Sequence, residues 1–256
     1  MRPSPLQQLM GGLPAVRVHQ MYRFQNVGID YAGPVYVRIA NTGRTVLVKG
    51  YITVFVCHAT KAVHLELVDS LTTEAFIACL RRFIGRPARG WLVSNAQTFV
   101  GAHRQLEELR RRFVSQQHRE AVSNTFAEDG VHFHFIPPRS PNFGGIWEAC
   151  VKSTKNLPHK IIGNAHFTES EFITALIQVK AQLNSRPITP LPNSPDDQLA
   201  LKPGHFMAGR PLNATPEPDL SEVPENRLSR WKRVQKVMRI FWNRWHNEYL
   251  QTFQKR

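Results

Sequence analysis

The chain has 256 residues, 42% of them hydrophobic, which predicts one sizeable domain with extensions and excludes a wholly disordered chain. Lysine and arginine outnumber aspartate and glutamate by 33 to 19, and the formal net charge of +14 points to a polyanionic partner such as nucleic acid. Charge alone fits a ribosomal or membrane-surface protein equally well, so the motifs must decide.

Cysteine spacing and hydropathy narrow the class further. Cys57, Cys79 and Cys150 form no CxxC or Cys/His pattern, so neither a disulfide framework nor a structural zinc site is predicted. No apolar run reaches the length of a membrane span, and the first residues lack the apolar core of a secretory signal. We therefore expect a soluble protein of a reducing, intracellular compartment.

The first half of the chain predicts strands followed by a helix. Residues 1–21 mix Pro, Gly and Gln without a period and are predicted to be a loose lead-in. Three β-rich stretches then predict an antiparallel meander: Phe24–Ala40, Tyr51–Cys57 and Ala62–Val68. A capping signal at Ser70–Glu74 opens a helix that carries Phe76, Leu80, Phe83 and Ile84 on one face and ends at Gly85.

Helices and strands alternate in the second half of the domain. The predicted elements are a short strand at Trp91–Val93, a helix at about Phe99–Phe113, a strand at His132–Ile136, a helix from Ile146 and a helix from Thr168 to about Arg186. Three strands followed by this alternation predict an α/β domain. The economical fold is RNase H-like, with a mixed five-stranded sheet flanked by helices, over residues 22–186.

Two further segments follow the predicted domain. Residues 187–226 hold a high concentration of proline and predict an extended strap that is poor in regular structure. Residues 227–256 predict a basic amphipathic helix whose apolar positions are Leu228, Trp231, Val234, Met238, Phe241, Trp245 and Tyr249. Its basic face is either a DNA-tracking arm or a solvated surface, and its apolar stripe docks on the core or on another subunit.

Two acids far apart in the chain are the candidate metal ligands. Asp30 lies on the first predicted strand, and Glu148 lies in the first turn of the helix from Ile146, after two glycines. Taken singly, each acid is also explained as a surface strand residue or as a favourable charge at a helix start. Taken together, they can share one metal site at the mouth of a sheet.

Five sequence blocks give these acids a specific context. The blocks are Gly28–Pro34, Phe55–Val68, Phe135–Glu148, Leu183–Pro187 and Pro203–Phe206. In their order and in their amino-acid sequences, the blocks resemble the integrase of Pao/BEL-type LTR retrotransposons. The resemblance extends from about Phe24 to the C-terminus. The resemblance implies an RNase H-like core that trims element DNA ends and joins their 3′-hydroxyls to target DNA.

By this resemblance, Asp30 and Glu148 match the first and last acids of a D,D,E triad that holds Mg²⁺ or Mn²⁺. The second acid is missing. Where the family has Ser-Asp-Asn-Ala, this chain has Ser94-Asn95-Ala96, and neither a one-residue deletion between Ser94 and Asn95 nor an ungapped register at Ser94 supplies a carboxylate. We therefore expect weakened metal binding and impaired strand transfer. Glu74 is a less favoured substitute ligand, because it is more simply a helix-capping charge.

The resemblance also implies partners. Four residues around the Glu148 helix are predicted to contact DNA, although a solvated surface explains the lysines too: Arg139, Asn142, Lys152 and Lys155. We expect element-end and target DNA as partners, a homo-oligomer, and action in the nucleus. The alternative is a non-catalytic DNA-binding or assembly module, and an RNase H-like nuclease is a distant third.

Overall fold

A computed structural model describes residues 22–41, 44–85, 115–127, 131, 133, 166–189, 200–209, 212 and 218–249. Within these residues, three strands form one antiparallel sheet in the order β1-β2-β3. The strands are β1 (Val27–Asn41), β2 (Arg44–Cys57) and β3 (Val63–Val68). The predicted meander is confirmed, and the described part of the domain is a mixed α/β structure.

The hairpin of β1 and β2 is longer than the rest of the sheet. β3 pairs with β2 only from Tyr51 to Val56, whereas β1 pairs with β2 along its whole length. The sequence predicted that β2 begins at Tyr51, seven residues late. The reason is that Val46, Leu47 and Val48 are consecutive apolar residues, all more than a third exposed, and therefore show no alternation between a buried and a solvated face.

Alternation along β2 divides the core into two clusters, one on each face of the sheet. Tyr51, Phe55 and Cys57 pack on one face, with helices α1 (Thr73–Ile84) and α2 (Gln116–Phe126). Ile52, Val54 and Val56 pack on the other face, with helices α3 (Glu169–Asn184) and α5 (Arg230–Tyr249). We call these the α1 face and the α3 face. The sheet is thus covered by helices on both sides, as predicted.

Helices α1 and α3 follow their sequence signals closely. Thr72 caps α1, because its hydroxyl accepts a hydrogen bond from the backbone N–H of Ala75 at 3.2 Å, and α1 ends at Gly85. Thr168 precedes α3, and its N–H and hydroxyl both donate to the Glu171 carboxylate at 2.9 Å. The apolar positions on each helix recur at three- and four-residue steps, so each helix presents one buried face to the sheet.

Helix α2 was not predicted. Ser115 caps it by accepting a hydrogen bond from the backbone N–H of His118, and its buried positions are His118, Val122 and Phe126. One of these three inward residues is a histidine and the remaining positions are mostly polar, so the apolar pattern was too weak to detect.

The proline-rich segment contains more regular structure than predicted. Helix α4 (Pro203–Ala208) begins with proline, where no backbone N–H is needed, and ends at Gly209, whose φ of 69° suits glycine. A 3₁₀ turn spans Glu225–Arg227. The side chain of Arg23 donates to the backbone carbonyls of Phe206 and Met207, which ties the start of the described chain to α4.

Several predicted elements lie outside the described residues. They are the lead-in at 1–21, the strand at 91–93, the helices at 99–113 and from 146, and, except for Phe133, the strand at 132–136. The five-stranded sheet and the four-part division of the chain therefore stay predictions. No helix in the described ranges is both long and apolar enough to span a bilayer.

Candidate functional site

Asp30 lies in β1, opposite Val54 of β2, which in turn pairs with Leu65 of β3. Its chain neighbours Ile29 and Tyr31 pack on the α1 face, so strand alternation directs Asp30 to the α3 face. The residue is 2% exposed, and its Oδ1 accepts a hydrogen bond from the backbone N–H of Tyr31 at 2.7 Å. The first predicted acid therefore lies inside the molecule rather than at an open cleft.

The backbone just beyond Asp30 requires glycine. Gly33 has a φ of 132°, and a Cβ at this position would lie 3.2 Å from the backbone nitrogen of Val35 and 3.3 Å from the Tyr51 ring. The pairing register of β1 with β2 shifts here, between Ala32 and Val35. Gly33 thus meets a steric requirement at the irregularity in β1 that follows Asp30.

The Leu183–Pro187 block anchors the end of α3 to the start of β3. The Asn184 side chain is fully buried, accepts from the backbone N–H of Val63 and donates to the Val63 carbonyl, both at 2.7 Å. Arg186 donates to the carbonyls of Lys61 at 2.6 Å and of Leu183 at 3.1 Å. These contacts satisfy backbone groups of the sheet edge that would otherwise be buried without partners. The block therefore has a structural role that its sequence did not reveal.

Of the predicted site residues, Asp30 and the less favoured Glu74 fall within the described ranges. The others lie outside them: Ser94, Asn95, Arg139, Asn142, Glu148, Lys152 and Lys155. The predicted convergence of residues 30, 93–95 and 148 therefore stays a prediction. Among the described residues, no group of three or more His, Cys, Asp or Glu side chains is arranged to hold a metal ion.

Glu74 is exposed in the first turn of α1. Helix α1 packs on the face of the sheet opposite to the one that Asp30 takes. This position favours the interpretation of Glu74 as a charge that stabilises the start of a helix over its role as a substitute metal ligand.

A polar cluster that runs from the buried His64 to the exposed Arg82 joins β3 to α1. The imidazole Nε2 of His64 lies 2.9 Å from Glu66 Oε1, and Arg82 Nε donates to Glu66 Oε2 at 3.3 Å. The His64 ring also packs beside Phe55 and Phe83, with ring centroids 5.8 and 5.4 Å away. His64 therefore packs among aromatic rings on the α1 face of the sheet.

The apolar stripe of α5 docks on the chain's own core, but not at every predicted position. Val234, Met238 and Phe241 are at most 3% exposed and pack on the α3 face. Trp231, which the sequence placed in the same stripe, is 52% exposed, and Trp242 is 38% exposed. A helical wheel would have separated the tryptophans from the stripe centre, because both lie about 60–80° from Val234.

Comparison with protein families gives one match. Residues 229–256 match a family of unknown function, DUF5641, a segment that includes the whole of α5. Comparison with curated proteins gives no match.

The solved structures that are similar to this chain include two retroviral chains of low identity. A chain of the simian T-cell lymphotropic virus intasome in complex with PP2A regulatory subunit B56 gamma is 13% identical, with a TM-score of 0.49 over 84% of this chain. This chain spans 64% of that one, less than two thirds. The catalytic core domain of BIV integrase is 14% identical, with a TM-score of 0.41 over 65% of this chain and 88% of that chain. Neither score establishes a shared fold, so we base the functional proposal on this chain's own residues.

Proposed function

We propose that this chain is an integrase-type core, a DNA-binding polynucleotidyl transferase of retrotransposon origin whose own chemistry is impaired. The observation that carries the proposal is the position of Asp30. It lies on the first strand of an antiparallel meander covered by helices, within the Gly28–Pro34 block on which the resemblance to Pao/BEL integrases depends. The net charge of +14 supports a DNA partner.

The donor set of this chain does not fit a two-metal centre. Two divalent ions bound side by side need several hard, anionic oxygen ligands, and a serine hydroxyl or an asparagine amide does not replace a carboxylate. The buried Asp30 is proposed to supply one carboxylate, and Glu148 is proposed to supply a second. The segment Ser94-Asn95 supplies none. We therefore propose that this chain does not assemble a metal pair that is competent for strand transfer.

What remains in the proposal is the handling of DNA. Arg139, Asn142, Lys152 and Lys155 are proposed to hold DNA phosphates beside the Glu148 helix, in a homo-oligomer that acts in the nucleus. The missing carboxylate also favours a second candidate function. This is a non-catalytic DNA-binding or assembly module that keeps the integrase fold without strand transfer.

Restoring the missing carboxylate tests the catalytic proposal. We expect that insertion of one Asp between Ser94 and Asn95 raises Mg²⁺-dependent joining of labelled element-end DNA to a plasmid from background to a measurable rate. The matched control inserts Asn at the same place, so that the two variants differ only in the carboxylate. Adding Asp30→Asn to the Asp insertion should abolish the gain.

Each outcome separates the candidates. High Mg²⁺-dependent joining by the unaltered chain would mean that the metal site is misassigned. If the Asp insertion restores nothing while the chain still binds DNA with a steep salt dependence, the non-catalytic module is the function. If the chain does not bind DNA at all, both candidates are rejected.

A further inference from the structure

The solvent side of α5 carries tryptophans and cations together. On the side opposite the buried Val234, Met238 and Phe241, Lys232 is exposed, and Lys236 and Arg239 are half-buried. Trp231 and Trp242 lie at the border of the buried side and are 52% and 38% exposed. Both indole rings are therefore partly available to a partner.

Two parallel rows run along this side of the helix. Trp231 and Trp242 are eleven residues apart, or about three turns, so they share one row and lie about 16 Å from each other along the axis. Lys232, Lys236 and Arg239 are separated by four and three residues and form the adjacent row. We call these five residues the tryptophan–cation strip.

The charges of the strip are compensated only in part by neighbouring groups. Between Arg230 and Asn243 helix α5 contains no acid. Glu171 is engaged by Arg230, which lies outside the strip. Lys236 donates to the neutral carbonyl of Val223 at 2.7 Å. The fully exposed Asp219 is close enough to Arg239 for its pKa to be lowered, mainly by hydrogen bonds from Ser221 and to a lesser extent by that arginine.

We propose that the tryptophan–cation strip binds a nucleic-acid strand with unpaired bases. The cation row contacts successive phosphates, and the two indole rings stack on bases, whose faces are free only where the bases are not stacked in a duplex. The proposal deepens the proposed function, because it names a surface by which an integrase-type core holds an opened or single-stranded DNA segment.

Two other partners fit the strip less well. A membrane-bound helix must insert its apolar side into the lipid, and the apolar side of α5 is already buried in the core of this protein. A second copy of the chain has the same net charge of +14, so cation rows would face a cationic partner. Charge complementarity therefore favours a polyanion.

The strip is tested in the full chain by measuring its affinity for two fluorescent DNA probes at several salt concentrations. The probes are a 20-mer of oligo(dT) and a mixed-sequence duplex of 20 base pairs. In the triple variant Lys232→Gln, Lys236→Gln and Arg239→Gln, we expect the affinity to fall by at least about tenfold. We also expect the slope of the logarithm of the binding constant against the logarithm of the salt concentration to become less steep by about two to three. The matched control removes three exposed cations elsewhere: Lys49→Gln, Lys61→Gln and Arg81→Gln. It should retain nearly the affinity of the unaltered chain.

The tryptophans are tested separately. The double variant Trp231→Leu with Trp242→Leu keeps apolar side chains but removes the aromatic rings. We expect its affinity for oligo(dT) to fall by about tenfold or more and its affinity for the duplex to fall less. We also expect DNA to quench its intrinsic fluorescence less. Thermal unfolding monitored by circular dichroism checks that all variants fold.

The outcomes distinguish this inference from the proposed function. Strip variants that bind oligo(dT) as the unaltered chain does would overturn the inference and leave DNA binding by the core intact. If the unaltered chain binds neither oligo(dT) nor the duplex, both the inference and the proposed function are overturned. Strip-dependent binding to phosphatidylserine vesicles, with no strip-dependent binding to DNA, would assign the surface to a membrane and also overturn the inference.

Discussion

At the scale of single residues, His118 shows how burial sets chemistry in this protein. Its ring is 5% exposed, its Nδ1 lies 2.9 Å from the Thr73 hydroxyl, and its centroid is 5.8 Å from that of Phe76. Burial lowers the pKa of His118 to about 4, and the negative charge of Glu74 opposes this shift only in part. The imidazole therefore stays neutral in the folded protein at neutral pH and links α1 to α2.

This pKa shift predicts a loss of stability in acid. Between the ordinary pKa of 6.5 and the folded value of about 4, the unfolded chain takes up a proton that the folded chain does not, so stability falls as pH falls. From pH 7 to pH 5 we expect His118 to account for a loss of about 2 kcal/mol in the free energy of unfolding. Urea denaturation at both pH values measures it, and His118→Gln should lose this part of the pH dependence. An unchanged dependence in the variant would contradict the assignment.

At the scale of secondary-structure elements, one carboxylate joins two helices. Glu171 accepts from Thr168 at the start of α3 and from Arg230 Nε at the start of α5, the latter at 2.8 Å. Burial alone would raise the pKa of Glu171, but the hydrogen bonds from Thr168 and the charge of Arg230 outweigh it and lower the pKa. The ionised form thus caps α3 and holds the start of α5 beside it.

Removing this carboxylate should cost more than removing its neighbour in the same turn. We expect Glu171→Ala to lower the free energy of unfolding by about 1–2 kcal/mol, because the helix loses its cap and the ion pair. Glu169→Ala, an exposed first-turn acid of α3, should cost only about 0.3–1 kcal/mol. Chemical denaturation of the two variants under the same conditions measures the difference. Equal losses would show that Glu171 acts only through the helix dipole.

At the scale of the whole molecule, the two ends of the described chain share one core. The cluster on the α3 face combines residues of β1 and β2 with residues of α3 and α5, so the described part of the segment that matches DUF5641, residues 229–249, belongs to the same folded body as the sheet. Helix α5 is therefore not a detached arm. Its buried side stabilises the fold, and the tryptophan–cation strip lies on the rest of its surface.

A pair of substitutions on α5 separates these two sides. Phe241 is fully buried, and we expect Phe241→Ala to lower the free energy of unfolding by about 3–5 kcal/mol through lost burial and a cavity. Trp231, which is 52% exposed, should cost about 1 kcal/mol or less when changed to Ala. Thermal and urea unfolding of both variants provide the comparison. If Trp231→Ala were as costly as Phe241→Ala, the outward orientation of Trp231 would be wrong.

Local patterns predicted much of the described fold. The run of β-branched and aromatic residues at Tyr51–Cys57 predicted a strand, and the caps at Thr168 and near Thr72 predicted the starts of α3 and α1, because these signals depend on neighbours within one turn or one strand. The same rules missed α2, whose inward positions include His118, and the first half of β2, whose residues are exposed. In both places, contacts between elements rather than local periodicity determine the structure.

The candidate site divides in the same way. By itself the sequence determined the acidic residue types, the absence of a carboxylate at Ser94-Asn95 and the basic character of α5, since these are properties of residue identity. Only the tertiary structure decided that Asp30 is buried on the α3 face, that Asn184 clamps β3 and that Trp231 faces outward. Burial and orientation depend on which helices stack on which face of the sheet, and that choice is made by residues distant along the chain.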